Sequence, residues 1–500
     1  MSGVDERNAA DLTEPADAGV SRRRGAARLR ASAPRAAAAL AGAMLTAAAF
    51  APVGKPFALV FGFALFLISL RGASPRAGLV LGLLYGYTLF AVTLWWMWTI
   101  FGPAAITLWA ISTLFPMAFG LLYTWLRIRL PRLAPALLAP ILWTATEFFR
   151  SEPMRPNFGW IGFGYGLIET PGFAWIAPLA GSYAITFGVV LLAVMLAEAA
   201  QPSVLGRRRR ILAACAALAL WTAGFLVPPR ADHIASPLRV RLVQASAGDL
   251  DTQVSLSRLA AGSRCDVIVW SEYSSVLDPY RIALRGHRIP QVDVARANHA
   301  MLLFGAEEQP NLRKPGYYNT AYLLDRDGRL LGTHRKNHPV HFFEDGWASR
   351  IARPIDSPVG RIGVAICFDM DYPDVARRLA AEGARVFLVP NMDPGYWGAV
   401  QRRGHRLMFE MRAAECGRWL ARADVAGGTS VVDPFGRQVR HVSTSGPCSI
   451  DAVVGLESST TPYVRGGWRF GQACLVVAML LLLAGLRSHL IASGSRNPPA

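Results

Sequence analysis

Long apolar runs separated by short polar connections fill the first half of the chain and recur once near its end. Eight of these runs, each of roughly 16 to 25 residues, are candidates for helices that cross a bilayer. The short runs are marginal, and the first two could instead form a tight hairpin around Pro52 to Pro56. The predicted spans are 36–51, 56–70, 77–98, 103–126, 134–149, 175–200, 211–227 and 470–486. The pattern therefore predicts a polytopic α-helical membrane bundle, 36–228 and 468–488, with one polar domain inserted before the last helix.

The polar stretch, 238–460, has the periodicity of an α/β domain. Short apolar runs typical of strands alternate with helical patterns at 374–383 and 399–416. The sequence DRDG at 325–328 predicts a hairpin turn in which Gly328 supplies a positive φ. The predicted strands are 239–244, 266–270, 301–306, 318–325, 361–367, 385–390 and 429–433.

Composition agrees with a division into membrane and polar parts. Charged residues make up 17% of the chain, below the roughly 25% that is typical of soluble domains. The formal net charge of +18 comes almost entirely from arginine. Because the arginines cluster beside the apolar runs, they suit anionic lipid headgroups. No basic and aromatic module typical of nucleic-acid binding is present, so nucleic acid is not an expected partner.

Arginine placement also predicts an orientation, because basic connections tend to stay in the cytoplasm. The connections after the second, fourth, sixth and eighth spans carry Arg71, Arg76, Arg127, Arg129, Arg132, Arg207–Arg210, Arg487 and Arg496. The alternate connections carry few positive charges. Both termini, 1–35 and 489–500, are therefore expected in the cytoplasm and the polar domain outside. Residues 1–35 lack a periodic apolar face and are predicted to be a disordered tail.

Neither a metal site nor a cofactor is predicted. The six cysteines form no CxxC pair and have no zinc-type spacing with histidine. His334, His338 and His341 form a histidine-rich stretch, but no carboxylate at ligand spacing accompanies them.

Three residues that could carry acyl transfer each follow a predicted strand. They are Glu272, Lys336 and Cys367. A carboxylate can take the thiol proton, since the thiolate is the nucleophile, and an ammonium can stabilise the oxyanion of a tetrahedral intermediate. Taken singly, each also fits a purely structural role: a buried cysteine, a surface carboxylate and a solvated lysine.

The local sequences around these residues resemble the three signature regions of the nitrilase superfamily. The matching segments are VIVWSE (267–272), YYNTAYLLDRDGRLLGTHRK (317–336) and GVAICFDMDYPD (363–374). The resemblance implies a four-layer α-β-β-α sandwich with a Glu–Lys–Cys triad. Because membrane spans flank the domain, the chain is most similar to the membrane branch of that superfamily, the apolipoprotein N-acyltransferases.

Carried over residue by residue, the resemblance makes Glu272 the general base, Lys336 the oxyanion group and Cys367 the acyl acceptor. It assigns supporting roles to Glu344 and Asp369. Two signatures depart from the family pattern: Trp-Ser-Glu replaces Trp-Pro-Glu, and Cys-Phe-Asp replaces a version that ends in Glu.

A second group of residues is expected to bind substrate, and the resemblance is again the basis. The segment NMDPGYW (391–397) stands where the family usually has Asn-Asp-Ala-Trp-Phe beside the substrate entrance. The candidates are Trp160, Asn391, Tyr396 and Trp397. Glu147, an ionisable residue near the outer end of the fifth span, is either functional or part of a local ion pair.

The resemblance implies acyl transfer from a membrane phospholipid, through a cysteine thioester, to the N-terminal amine of an S-diacylglyceryl-cysteine lipoprotein. The expected location is the bacterial cytoplasmic membrane. Two alternatives remain at this point. One is a membrane-tethered amidase of the nitrilase type, and the other is a scaffold without catalytic activity.

Overall fold

The computed structural model describes residues 16–200, 236–275, 289–310 and 316–494, with a few isolated positions between these ranges. Apolar helices from both ends of the chain pack into one bundle. Most of the residues between them form two stacked sheets that are covered by helices on both outer faces.

Helices occupy every predicted span that falls within the described residues; the span at 211–227 lies outside them apart from isolated positions. Four of the described helices, α3, α5, α8 and α14 in the numbering below, are long and apolar enough to cross a membrane, and α2 is apolar but shorter. The helices are α1 Ala16–Ala47, α2 Phe57–Ser69, α3 Pro75–Thr93, α4 Met97–Phe101, α5 Ala104–Arg129, α6 Pro135–Ser151, α7 Pro171–Ala174, α8 Ala177–Ala199, α9 Leu250–Ser257, α10 Pro290–Asn298, α11 Pro373–Ala381, α12 Gly398–Cys416, α13 Pro462–Arg465 and α14 Phe470–Gly494.

The first helix is longer than the sequence pattern predicted. It begins at Ala16, so residues 16–35, which were expected to be part of a disordered tail, are helical. The expectation used the lack of an apolar face, but this segment is rich in Ala and Arg, which are among the strongest helix formers. Residues 1–15 lie outside the described part of the chain.

Glycines let the bundle helices approach closely. A Cβ on Gly42 of α1 would lie 2.7 Å from the carbonyl oxygen of Gly62 in α2. At the crossing of α3 and α5, a Cβ on Gly78 or Gly120 would collide with the other residue's carbonyl oxygen. Small residues at crossings are the usual means of helix packing in membranes, where lipid removes the hydrophobic drive for association.

The polar region folds into a six-stranded and a five-stranded sheet. The strand orders are β11-β1-β2-β3-β4-β5 and β10-β9-β8-β7-β6. The strands are β1 Pro237–Gln244, β2 Val267–Val269, β3 Met301–Glu308, β4 Tyr318–Leu324, β5 Leu330–Arg335, β6 Ile362–Val364, β7 Val386–Pro390, β8 Leu420–Ala423, β9 Ser430–Val432, β10 Gln438–His441 and β11 Cys448–Gly455. Four strands are missing from the predicted set. The predicted hairpin turn implied β5 without giving its range, and β8, β10 and β11 are short, charged or at a sheet edge.

The layers follow from where the apolar residues lie. One cluster, which includes Val240, Val269 and Leu388, fills the space between the sheets. A second lies between the six-stranded sheet and its outer helices, and a third, with Phe387 and Phe409, lies between the five-stranded sheet and α11 and α12. The predicted four-layer α-β-β-α sandwich is therefore confirmed.

Helix α12 connects the sandwich to the membrane bundle. Its Leu407, Met408 and Met411 belong to the apolar core of the bundle. Glu415, at the end of α12, accepts a hydrogen bond from the Ser182 backbone N–H at 2.9 Å, where α8 is interrupted by non-helical residues. The sandwich is thereby held against the bundle helices, and the ends of its central strands lie near them.

Candidate active site

Glu272, Lys336 and Cys367 converge although the chain separates them widely. Glu272 follows β2, Lys336 directly follows β5, and Cys367 follows β6 at the start of a short 3-10 turn. All three side chains are buried. The structure thus brings the three predicted residues into one pocket at the ends of strands from both sheets.

Lys336 lies between two carboxylates. Its Nζ is 2.8 Å from Glu272 Oε1 and 2.6 Å from Asp345 Oδ2. Burial alone would lower the pKa of Lys336, but the charges of Asp345 and Glu272 outweigh burial and hold that pKa well above its ordinary value. Lys336 is therefore a fixed ammonium, which suits the stabilisation of an oxyanion and not proton abstraction.

Glu272 has the properties of a general base. Burial raises its pKa to about 7, and the Lys336 charge opposes this rise. Asn319 donates a hydrogen bond to Oε1 at 2.6 Å, whereas Oε2 has no hydrogen-bond partner among the described residues. A carboxylate with a pKa near neutrality and one free oxygen can accept a proton and return it.

Cys367 is held in an unusual backbone conformation. Its φ is 45°, in the left-handed region that residues other than glycine rarely adopt. Residues in such strained backbone conformations concentrate at functional sites. Burial raises the pKa of the thiol well above its ordinary value, the Glu272 charge adds to this rise, and Lys336 opposes it. The resting group is therefore a thiol that needs a base before it can attack.

Asp369 ties the loop of Lys336 to the turn of Cys367. Its Oδ1 accepts backbone N–H bonds from Asn337 at 2.8 Å and His338 at 2.9 Å. Its Oδ2 accepts the Ile366 N–H at 3.0 Å and lies 2.9 Å from His334 Nε2. These bonds involve the backbone on both sides of the pocket, so Asp369 fits the supporting position predicted for it.

The structure does not place the Glu344 side chain beside the triad, where it was predicted to give support. This side chain is exposed, and the neighbouring Asp345, 6% exposed, contacts Lys336 instead. Phe342 and Gly346 have φ values of 68° and 77°, and the reversal of the chain between them turns Asp345 inward. Asp345 also accepts a hydrogen bond from the Tyr273 hydroxyl at 2.7 Å.

The sequence pattern missed a buried charged cluster beside the nucleophile. Ligand atoms of Cys367, Asp393 and His405 lie within 4.8 Å of one another, the one group in the described residues with metal-type geometry. However, both ring nitrogens of His405 face carboxylates, and Asp393 also pairs with Arg422. A buried guanidinium in this cluster disfavours a metal cation.

The histidines of the predicted histidine-rich stretch each have a separate partner. His334 pairs with Asp369, and His338 lies 2.8 Å from Asp374. His341 lies 3.1 Å from the Tyr372 hydroxyl. The three histidines do not converge on a shared point.

An apolar chamber connects the pocket to the bundle. Its volume is about 930 Å³, part of it open to the surroundings. Cys367 lies on its wall, and bundle residues such as Ile100, Leu108 and Ile111 line it from the membrane side. Trp160 and Trp397, both predicted to bind substrate, also line it.

The loop that carries Trp160 is held by α6. Arg150 donates hydrogen bonds to the carbonyl oxygens of Phe158 at 2.9 Å and Trp160 at 2.8 Å. Glu147 accepts the Phe163 N–H at 3.0 Å. Glu147 thus makes local hydrogen bonds that fix this loop, and it does not reach the pocket.

Two other predicted substrate-binding residues do not line the chamber. Asn391 is fully buried; its side chain donates to Asp424 at 2.7 Å, and its carbonyl accepts the Glu272 N–H at 3.3 Å. It therefore positions the base. Tyr396, in the 3-10 turn Gly395–Trp397, is 67% exposed.

Two family models match this sequence. Residues 239–448 match the carbon-nitrogen hydrolase model, and residues 42–195 match the N-terminal domain model of apolipoprotein N-acyltransferase. Two similar relatives bear the name apolipoprotein N-acyltransferase. The protein from Azotobacter vinelandii is 31% identical over 89% of this chain and 94% of its own, and that from Pseudomonas putida is 28% identical over 89% and 96%.

Several similar solved structures each cover about half of this chain. A carbon-nitrogen hydrolase from Helicobacter pylori is 19% identical, with a TM-score of 0.38, over 48% of this chain and 96% of its own. An amidase from Nesterenkonia sp. is 22% identical, with a TM-score of 0.36, over 48% of this chain and 95% of its own.

Proposed function

The chain belongs to the apolipoprotein N-acyltransferase family, and we propose that Glu272, Lys336 and Cys367 carry its acyl-transfer chemistry. One observation supports this most strongly. Cys367, whose thiol feels the charges of the paired Glu272 and Lys336, lies on the wall of an apolar chamber that bundle residues also line. Such a site can receive a long acyl chain from the bilayer and present its carbonyl carbon to a thiol.

In the first half-reaction, the free oxygen of Glu272 takes the proton of Cys367 as the sulfur attacks the carbonyl carbon of an acyl ester. The Lys336 ammonium stabilises the oxyanion that forms. The carbon–oxygen ester bond then breaks, and Glu272 returns the proton to the leaving alcohol. The products are a Cys367 thioester and the deacylated lipid.

In the second half-reaction, the acceptor is the N-terminal amine of a lipoprotein that carries a diacylglyceryl group on its first cysteine. The amine attacks the thioester carbon, a carbon–nitrogen bond forms and the carbon–sulfur bond breaks. Glu272 takes the amine proton, and the Cys367 thiolate is released. Because both substrates are anchored in the bilayer, their confinement raises the effective concentration of the reacting groups.

The proposed acyl donor is a membrane phospholipid. The chamber supports this, because its lining is apolar and its bundle side is formed by Trp96, Ile100, Leu108 and Phe115. Exposed Phe342 and Phe343 contact Phe101 of α4, with ring centroids 6.1 and 5.8 Å apart. These rings form an apolar rim suited to the boundary between lipid chains and headgroups.

The family places the protein in a membrane, and we propose that residues 238–460 form the catalytic domain on the extracytoplasmic side. The arginine-rich connections support this orientation, with 489–500 in the cytoplasm. A cysteine introduced at the exposed Ser445 should react with a membrane-impermeant maleimide in intact cells after outer-membrane permeabilisation. Labelling only after lysis would contradict the orientation.

The fate of the acyl group tests the reaction itself. Purified protein is loaded with a phospholipid that carries a labelled acyl chain and is then mixed with a diacylglyceryl lipopeptide. The control peptide is the same molecule with an acetylated amine. We expect label in an amide of the free-amine peptide alone. Equal release of free fatty acid with both peptides would indicate an amidase-type hydrolase, and failure to load would indicate a scaffold.

A further inference from the structure

His405 is a buried cation that the proposed mechanism does not use. It lies on α12 and is 2% exposed. Its Nδ1 is 2.8 Å from Asp393 Oδ1, and its Nε2 is 2.9 Å from Asp371 Oδ1. Burial would lower the pKa of this ring, but the two carboxylates outweigh burial and raise that pKa to about 9. The ring is therefore an imidazolium at neutral pH.

This imidazolium lies beside the nucleophile. A ring nitrogen of His405 is within 4.8 Å of Cys367 Sγ, and both residues line the apolar chamber. Because both ring nitrogens face carboxylates, neither has a lone pair directed at the thiol. His405 can therefore not act as the base, but its charge acts on the sulfur through a buried, low-dielectric space.

We propose that His405 is a second fixed cation that, together with Lys336, stabilises the Cys367 thiolate as it forms. The inference rests on the proposed function of Cys367 and extends it to a positioning group near the sulfur. It explains why a histidine is buried between two carboxylates next to the reacting atom.

The charges around Lys336 show why a second cation would stabilise the thiolate. Lys336 is shared by Glu272 and Asp345, and Asp345 still offsets its charge after Glu272 has taken the thiol proton. The thiolate therefore forms beside a group that has no net positive charge. Positive charge from another direction lowers the free energy of the thiolate.

The charged groups around His405 keep it protonated and in place. The groups that face it are Asp371 and Asp393, and Asp393 is also paired with Arg422. Trp160 donates to Asp371 Oδ2 at 2.6 Å and stacks on the His405 ring, with centroids 5.9 Å apart. The chamber wall thus fixes the imidazolium that faces the sulfur.

The rate of Cys367 alkylation by iodoacetamide between pH 6 and 10 tests this inference in the full-length protein in detergent. Peptide mass spectrometry assigns the reaction to Cys367 among the other cysteines. For His405→Gln, the rate at pH 8 should fall about tenfold or more, so that a given rate is reached only about one pH unit higher. His405→Lys should restore most of the rate, because it restores the charge.

The matched control is His441→Gln. His441 is exposed and lies on β10, the edge of the five-stranded sheet farthest from β6, which precedes Cys367. This variant should follow the wild-type profile. If His405→Gln does not fold, His405→Asn removes the same charge with a smaller polar side chain and should shift the profile in the same direction. A wild-type profile in folded His405→Gln, or no recovery in His405→Lys, would overturn the inference. Neither result affects the role of Cys367, which Cys367→Ala tests separately by acyl loading.

Discussion

Asp345, and not the adjacent Glu344, is predicted to support catalysis, and replacing each in turn separates the two. Asp345→Asn removes the carboxylate that lies 2.6 Å from Lys336 Nζ, whereas Glu344→Gln changes an exposed side chain. The two substitutions are isosteric, differ by one position in the chain and remove the same charge. Long-range electrostatic effects of the lost charge are therefore closely matched.

The expected loss follows from the bond that is removed. A hydrogen bond between charged groups contributes about 1.5–3 kcal/mol, and Lys336 keeps its second partner, Glu272, at 2.8 Å. If the bond holds Lys336 where the oxyanion forms, kcat/KM for acyl transfer should fall about 10- to 100-fold in Asp345→Asn. Glu344→Gln should retain the wild-type value.

The pH dependence gives a second readout with a definite sign. The Asp345 charge contributes to the raised pKa of Glu272, which burial lifts to about 7. Without that charge the Glu272 pKa should fall, so the base becomes ionised at lower pH. The acidic limb of the pH–rate profile should move to lower pH even though the maximum rate drops. Full activity in Asp345→Asn, or a loss confined to Glu344→Gln, would refute this assignment.

Three further predictions concern the pocket, the chamber and the bundle. Asp369→Ala leaves two buried backbone N–H groups and one half-buried one without their acceptor. Each buried group lost costs about 1–3 kcal/mol, so both the thermal midpoint and acyl loading should fall. Ile111→Trp should slow loading from a long-chain phospholipid but not from a short-chain ester, because the larger side chain reduces the volume of the chamber that it lines. The control Ile128→Trp, at an exposed α5 position, should alter neither rate. Gly120→Leu should lower the thermal midpoint in detergent through overpacking of about 1–3 kcal/mol or more, whereas Gly188→Leu, with open space around it, should not.

The part of the candidate site that could be predicted from the sequence consists of residues that follow strands. Glu272, Lys336 and Cys367 could be predicted because each follows a strand and sits in a recognisable local signature. The bundle helices were equally visible, since an apolar run of that length is typical of a helix that crosses a bilayer. The α/β character of the polar region followed from the same kind of pattern.

Other parts depend on geometry that spacing does not specify. Glu344 and Asp345 are adjacent, and only the left-handed conformations at Phe342 and Gly346 decide which carboxylate faces Lys336. The cluster around His405 draws its members from a turn after β6, a loop after β7 and a helix. These residues have no characteristic spacing in the sequence. The one signal that could have indicated the cluster is a histidine on the buried face of α12.

The N-terminal helix shows a different limit of pattern reading. An apolar face predicts burial, but its absence does not exclude a helix in an Ala- and Arg-rich segment. Asn391 shows the converse. It was expected to bind substrate because of its neighbours in the sequence, whereas its contacts with Asp424 and the Glu272 backbone make it part of the framework.

The identity of the acylated atom tests the central claim most directly. Intact-mass analysis of the purified protein after incubation with a defined phospholipid should show one added acyl mass that hydroxylamine removes, and peptide mapping should place it on Cys367. The same treatment of Cys367→Ala should add nothing. An acyl mass of equal amount on Cys367→Ala, or one mapped to another residue, would contradict the account.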